Sequence, residues 1–319
     1  MSPDTAERME GMIGIIILNY ITWADTERCV RSIWETESDR EFPYHIYIVD
    51  NASPVPAPQS MREICGRDGI TYIQSNKNIG YAAGNNLGIR RAVEDGCDSI
   101  LISNSDVCFT GNCISRMAAY LQNHPKVGIV GPKILDAGGR LQRSCLCRRT
   151  GLKEKYLVRT RLNLFFRKQY RTYFGLDRDY DKTFRVYAVL GCCFMISPQC
   201  VREVFPFDEG TFLYEEEYIV GIRMEQAGYE THYVPECVIR HLHGSSTGEV
   251  KPFAYMCETA SEIYYCRKYL GAAKWQIIPL YIYRLLKYDI KCLQSREFRE
   301  YRREFRERIK LIKGGEKVC

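Results

Sequence analysis

The chain has 319 residues, 45% of them hydrophobic and 12% aromatic, enough to bury one large core or two small ones. No stretch approaches the roughly 18 uncharged apolar residues of a membrane span, and Asp4, Glu7, Arg8 and Glu10 stand where a signal peptide would be apolar, so a cytosolic protein is expected. The net charge of +6 sits wholly in residues 284–319, with 12 Lys/Arg against 6 Asp/Glu, while the preceding residues balance at 33 of each; this argues against a nucleic-acid-binding body and directs an anionic surface to the tail.

Met12–Leu18 is a continuous β-branched run, expected of a strand covered on both faces, with Asp25 as N-cap of a helix to about Thr36. Ile46–Val49 reads as the second strand, Asn51–Pro58 as a loop, Gln59–Arg67 as a helix and Ile70–Gln74 as the third strand. Asn78-Ile79-Gly80-Tyr81-Ala82-Ala83-Gly84-Asn85-Asn86 opens a helix to about Asp95, its small residues allowing close approach of a ligand or a strand. Ser99–Ile102 is a strand, Cys113–Asn123 a helix, and Val127–Val130 a strand ended by the Gly131-Pro132 break. This alternation fits a doubly wound, Rossmann-like nucleotide-binding half.

Residues 140–185 interleave Arg/Lys with Tyr/Phe and read as solvated helices or a flap over an active site. Val186–Ile196 restores a buried strand containing a glycine. From Tyr255 onward the pattern is helical; Trp275–Leu293 is apolar but interrupted by charge, and is either an interfacial helix or a cap on the main domain. The 15 cysteines lie singly in hydrophobic runs, as at Cys29, Cys97, Cys200 and Cys237, which predicts reduced, buried thiols rather than disulfides or a zinc knuckle.

Acids and amides stand where the apolar runs stop: Asp50 after the second strand, Asn104-Ser105-Asp106 after the fourth. In an open parallel α/β sheet such strand ends face the ligand crevice. Tyr214-Glu215-Glu216-Glu217 adds a carboxylate cluster, and His241-Leu242-His243-Gly244-Ser245-Ser246 an imidazole pair, both suited to acid/base work and hard-metal coordination.

Together with Ile17–Tyr20, Val49–Ser53, Asn78–Gly88, Gly191–Ile196 and Phe207–Glu217, these segments resemble family 2 glycosyltransferases of the GT-A class, particularly rhamnosyl- and galactofuranosyl-transferase-like members that build bacterial polysaccharides. The matches run in order over about residues 12–250. The resemblance implies a GT-A fold, a doubly wound and mostly parallel sheet with a C-terminal helical extension. The expected divisions are a flexible extension at 1–11, a GT-A domain at 12–254 (nucleotide half 12–131, acceptor and catalytic half 132–254) and a basic helical region at 255–319.

The resemblance also implies a nucleotide-sugar site of Asn19, Tyr20, Asp50, Asn51, Asn78, Gly80, Asn85, Asn104 and Asp106, and a divalent metal, Mg²⁺ or Mn²⁺, on Asp106 and His241, with His243 lining the pocket. The family's metal motif often carries two or three acids; here Asp106 is the one carboxylate. The base that takes the acceptor proton falls on Glu217, with Glu216 as the first of the pair and the assignment between them open. The implied activity is transfer of a sugar from a nucleoside diphosphate to a hydroxyl of a glycan or lipid-linked acceptor, inverting and metal-dependent, in cell-surface polysaccharide synthesis; the basic tail points either to the inner face of the membrane or to a helical cap.

Other classes fit less well. A dehydrogenase needs a GxGxxG loop where Asn19-Tyr20-Ile21-Thr22 stands, and a sugar nucleotidyltransferase needs a Gly-rich, basic triphosphate loop. A non-catalytic nucleotide-sugar-binding scaffold is the third alternative.

Overall fold

The computed structural model describes residues 11–37, 42–143, 145–242 and 251–312. The chain opens with β1 (Ile13–Asn19), α1 (Trp23–Thr36), β2 (Tyr44–Asp50), α2 (Gln59–Cys65), β3 (Ile70–Gln74), α3 (Gly80–Glu94) and β4 (Ser99–Asn104). Strands β1 to β4 pair in parallel in the order β3-β2-β1-β4. Side chains alternate across β1, and both faces are covered: Ile13, Ile15 and Ile17 pack under α1 and α2, while Ile16 packs with Tyr47 and Val49 under α3. The order reverses at β1, whose neighbours are β2 and β4, so the crevice of this open sheet lies beyond Asn19, Asp50 and Asn104.

The second half runs β5 (Val107–Thr110), α4 (Cys113–Asn123), β6 (Val127–Asp136), α5 (Leu152–Leu157), α6 (Arg167–Tyr173), β7 (Phe184–Val186), β8 (Cys193–Ile196), α7 (Pro198–Glu203), α8 (Glu216–Ala227) and β9 (Glu230–His241). Strand β8 joins the halves, antiparallel to both β4 and β6; β9 runs parallel to β6 and takes β5 and β7 antiparallel. The result is one nine-stranded sheet whose longest pairings are parallel. Helices α9 (Pro252–Lys268), α10 (Lys274–Gln294), α11 (Arg296–Glu300) and α12 (Arg302–Ile312) pack with α5, α6 and α8 in a third core that contains five buried tyrosines, Tyr255, Tyr265 and Tyr288 among them.

Three expectations are corrected and a fourth is refined. The N-cap of α1 is Thr22, and Asp25 lies inside the first turn, where its charge still favours the helix N-terminus. Strand β6 does not stop at Gly131-Pro132 but continues to Asp136, absorbing the proline through a register shift between Pro132 and Lys133. The run Val186–Ile196 is two strands, because the Gly191 peptide groups bond to Tyr81 and Glu217 instead of a ladder partner. The apolar 275–293 stretch is neither wholly cap nor wholly surface: Ile277, Leu280, Tyr288 and Cys292 are buried, while the opposite face is exposed. The expected state of the thiols holds, since every described cysteine is free and most are buried. His243 and the following Gly244-Ser245-Ser246 lie outside the described residues, as do most of the N-terminal extension and residues 313–319.

Candidate active site

Asp50 ends β2 almost fully buried, held by neutral donors from nearby in the chain. Its Oδ1 accepts from Ser53 Oγ (2.5 Å), Ser53 N (3.1 Å) and Asn19 Nδ2 (3.2 Å), and its Oδ2 from Gln74 Nε2 (3.0 Å). Asn19 spends its whole hydrogen-bonding capacity inside the protein: Nδ2 donates to Asp50 and Ser53, and Oδ1 accepts from Thr22 and Thr26. It therefore orients Asp50, while Tyr20, the next residue, projects into solvent at the rim. A cleft of about 630 Å³ opens here, lined by Asp50, Ser53, Arg62, Tyr72 and Gln74 among others.

The amides of the Asn78–Asn86 segment form brackets. Asn51 Nδ2 donates to Asn78 Oδ1 (2.9 Å) and Gly80 O (3.1 Å), and its Oδ1 accepts from Ile79 N (2.9 Å), fixing the start of α3 against the end of β2. Gly80 has φ +84°, and a Cβ there would lie 2.3 Å from the Phe212 carbonyl, so glycine lets the 205–215 segment close over α3. Asn85 is fully buried and donates to Tyr81 O (3.0 Å), while Asn86 holds both the N–H and C=O of Phe207.

On the other side of the crevice, β5 and β9 pair with Val107 opposite His241, and Leu242 N donates to Asp106 O (2.9 Å). That register brings Asp106 Oδ1 to 3.3 Å from His241 Nε2, and His241 Nδ1 lies 3.4 Å from Gln142 Oε1. A hard oxygen and an imidazole nitrogen thus converge on one point. Among the described residues no third His, Cys, Asp or Glu completes a closed metal cage. A carboxylate oxygen and an imidazole nitrogen are donors that a divalent ion such as Mn²⁺ accepts.

The backbone bond Asn104 N→Cys192 O (2.8 Å) draws the 104–106 turn beside the 191–217 cluster. There Gly191 N donates to Glu217 Oε1 (3.1 Å), and the Tyr81 hydroxyl from α3 donates to Gly191 O (2.5 Å). A Cβ on residue 191 would fall 2.9 Å from Glu217 Oε1, so glycine at this position lets the Glu217 carboxylate approach the backbone. Glu217 is half-buried and burial raises its pKa, against the pull of the Gly191 N–H; Glu216 is buried on Thr211 Oγ1 (3.0 Å), and desolvation together with the neighbouring Glu217 charge pushes its pKa up to about 8. The two acids therefore differ: Glu216 holds a proton at neutral pH, and Glu217 is the more accessible acceptor.

A family profile described as Glycosyl transferase family 2 matches residues 13–189, more than half of the chain. The chain belongs to glycosyl transferase family 2. It is similar to the N-acetylglucosaminyl-diphospho-decaprenol L-rhamnosyltransferase of Mycobacterium tuberculosis, 23% identical over 249 residues that cover 75% of this chain and 79% of the relative. It is also similar to the low-salt glycan biosynthesis hexosyltransferase Agl10 of Haloferax volcanii, 31% identical over 129 residues, 40% of this chain and 38% of that one. Among solved structures, GalNAc-T7 with UDP, GalNAc and Mn²⁺ superimposes with a TM-score of 0.56 at 15% identity, covering 93% of this chain; the chain spans 57% of that protein. The fold is GT-A and the protein is a glycosyltransferase.

Sequence reasoning missed Tyr72, Gln74 and Lys155, and it read Tyr214, Glu215 and Asp208 as parts of motifs without the contacts that hold them. Tyr72 and Gln74 share one face at the end of β3, a period-2 signal at a strand terminus. Tyr214 and Glu215 take consecutive positive φ angles of 73° and 74°, a strained entry to α8 that needs support from its surroundings. The support is ionic: fully buried Lys155 on α5 reaches both Glu215 oxygens (2.6 and 2.5 Å), and Glu262, 3.7 Å from Lys155, is gripped by Arg284 at 2.7 and 2.9 Å. Asp208, in the Phe207-Asp208-Glu209 match, is likewise anchored to α9. Burial alone would raise its pKa, but Lys268 (2.7 Å) and the Tyr264 and Tyr269 hydroxyls hold it down at about 2. Nothing in the local sequence around Lys155 separates it from a solvated lysine.

Proposed function

We propose that this glycosyltransferase moves a sugar, with rhamnose the first to test, from a nucleoside diphosphate to a hydroxyl of a polyprenyl-diphosphate-linked saccharide, with inversion. The observation that carries the reading is the half-buried Glu217 carboxylate, pKa raised and aimed by Gly191 N, on the same crevice as the Asp106–His241 pair. The Mycobacterium tuberculosis relative, named for a rhamnosyl donor group and a decaprenol-linked acceptor, supports the substrate class.

In this reading Asp50 with Gln74 and Ser53 receives the base or ribose through its carboxylate. A divalent ion held by Asp106 and His241 would supply Lewis-acid stabilisation to the departing diphosphate. Glu217 accepts the acceptor's hydroxyl proton as that oxygen bonds to the anomeric carbon, the bond from carbon to the diphosphate oxygen breaks, and the nucleoside diphosphate leaves. Protonated Glu216 beside it limits the like-charge repulsion that two ionised carboxylates would create.

The test begins with a thermal-shift panel of dTDP-, UDP- and GDP-sugars with Mn²⁺, where a ligand at 100 times its Kd stabilises by about 2.7 kcal/mol. With the donor in hand, Glu217→Gln should bind it unchanged and transfer roughly 10²–10⁴-fold more slowly to a synthetic polyprenyl-diphospho-saccharide. Asp106→Ala and His241→Ala should each weaken the metal-dependent part of donor binding in calorimetry. A Glu217→Gln variant that keeps full activity removes the base assignment, and unchanged metal dependence in both other variants removes the metal assignment.

A further inference from the structure

Helix α10 is apolar on two opposite faces. One packs into the third core through Ile277, Leu280, Tyr288 and Cys292. The other carries Trp275, Ile278, Ile282, Leu286, Ile290 and Leu293, each between 47% and 82% exposed. The spacing of these six keeps them within one helical stripe, and at 1.5 Å per residue the stripe runs about 27 Å. Monomeric proteins rarely leave so long a continuous apolar band in water, and a band of this kind marks an interaction surface.

A second exposed apolar feature adjoins it. The 3₁₀ turn Arg161–Leu164, with Phe165 after it, presents Leu162, Leu164 and Phe165 to solvent. This knuckle is fastened to α10: Arg161 N donates to the Tyr283 hydroxyl (3.2 Å), and the Tyr156 hydroxyl donates to Gln276 O. Arg161, Arg167 and Lys168 are exposed around the knuckle, and Lys274 is exposed at the start of the stripe. Asp289, the one acid on α10, is paired with Arg302 and Arg306 (3.0 Å each).

We propose that the outer face of α10 and the 162–165 knuckle form one surface that lies in the headgroup region of an anionic lipid bilayer. The argument for lipid over a second copy of the chain is charge. The excess of +6 lies in residues 284–319, so a symmetric dimer through α10 would set two cationic tails against each other, whereas an anionic bilayer meets both the apolar band and the basic rim. No described helix is long and apolar enough to cross a membrane, which fits a surface that lies on the bilayer. The inference goes beyond the chemistry proposed above and is read by binding alone, so it stands or falls independently of Glu217.

The test is co-sedimentation of the full chain with phosphatidylcholine vesicles, with and without about one third phosphatidylglycerol, at about 0.1 M and about 1 M salt. Binding is expected on anionic vesicles at low salt, to be lost at high salt and on neutral vesicles, with a blue shift of Trp275 emission. Leu286→Glu and Phe165→Glu replace exposed side chains; each should weaken binding roughly tenfold or more while leaving the melting temperature in place. The proposal is overturned by absent binding, by equal binding to neutral vesicles, by variants that bind like the wild type, or by a solution dimer that Leu286→Glu dissociates.

Discussion

The two walls of the crevice are held by different physics. At the nucleotide wall, Asp50 is fixed by the neutral groups of Asn19, Ser53 and Gln74, all within one contiguous stretch of strands and turns. At the wall proposed for catalysis, the strained Tyr214–Glu215 turn that leads into Glu216 and Glu217 is fixed by buried ions from α5, α9 and α10, with Lys155 60 residues from the Glu215 it holds. Neutral bonds within a local segment lose little when one is cut. A buried ion pair is asymmetric, because removing one partner strands the other charge in a low-dielectric interior.

Removing the Lys155 ammonium should therefore give the largest loss. Lys155→Met leaves Glu215 and Glu262 without their shared cation and is expected to cost about 3–5 kcal/mol in urea unfolding, with turnover lost ahead of donor binding. A loss under about 1 kcal/mol would erase the contrast between the walls. Next comes pH. The ordinary glutamate value of 4.5 applies to Glu216 in the unfolded chain and about 8 in the folded one, so across that interval the native state holds a proton that the unfolded state has released. Stability then falls as pH rises, by at most about 1.4 kcal/mol per unit from this group. Unfolding midpoints of wild type and Glu216→Gln measured from pH 5 to pH 8 should converge at the acid end and separate at the alkaline end, with the variant the more stable. Parallel curves would show that Glu216 is ionised in the fold. The smallest effect belongs to the wall proposed for the nucleotide: Ser53→Ala removes one hydroxyl that donates to the Asp50 carboxylate and accepts from Asn19 and Ile21 N, and should cost about 1.5–3 kcal/mol; a larger loss would mean that this wall, too, depends on a single group.

The same division explains what the sequence made legible. Strand β3 and helix α4 match their predicted limits at Ile70–Gln74 and Cys113–Asn123 because periodicity and breakers are local signals. Asp50, Asp106 and His241 were readable as chemistry at strand ends. Asn19, Asn51 and Gly80 stood out as well, although their bonds run to protein groups that shape the crevice. Strand β5 went unseen because four residues, Val107–Thr110, carry little pattern and are strand only through β9. Lys155 was invisible for the reason that makes it strong: its partners come from distant parts of the chain, and burial is a property of the fold rather than of the KEKYL segment.

The pairing of β5 with β9 has a consequence for the order in which the molecule comes into being. Thr110 Oγ1 bonds Val238 O across 128 positions, so Asp106 is synthesised long before His241 and waits for the ribosome to deliver its partner. Closing a loop of that size is slow compared with local pairing. The β1–β4 unit, by contrast, is complete by residue 104. During synthesis the wall proposed to receive the nucleotide is therefore finished first, and the Asp106–His241 pair proposed to hold the metal comes together only when β9 docks, so on this reading an unfinished chain is spared a working active site.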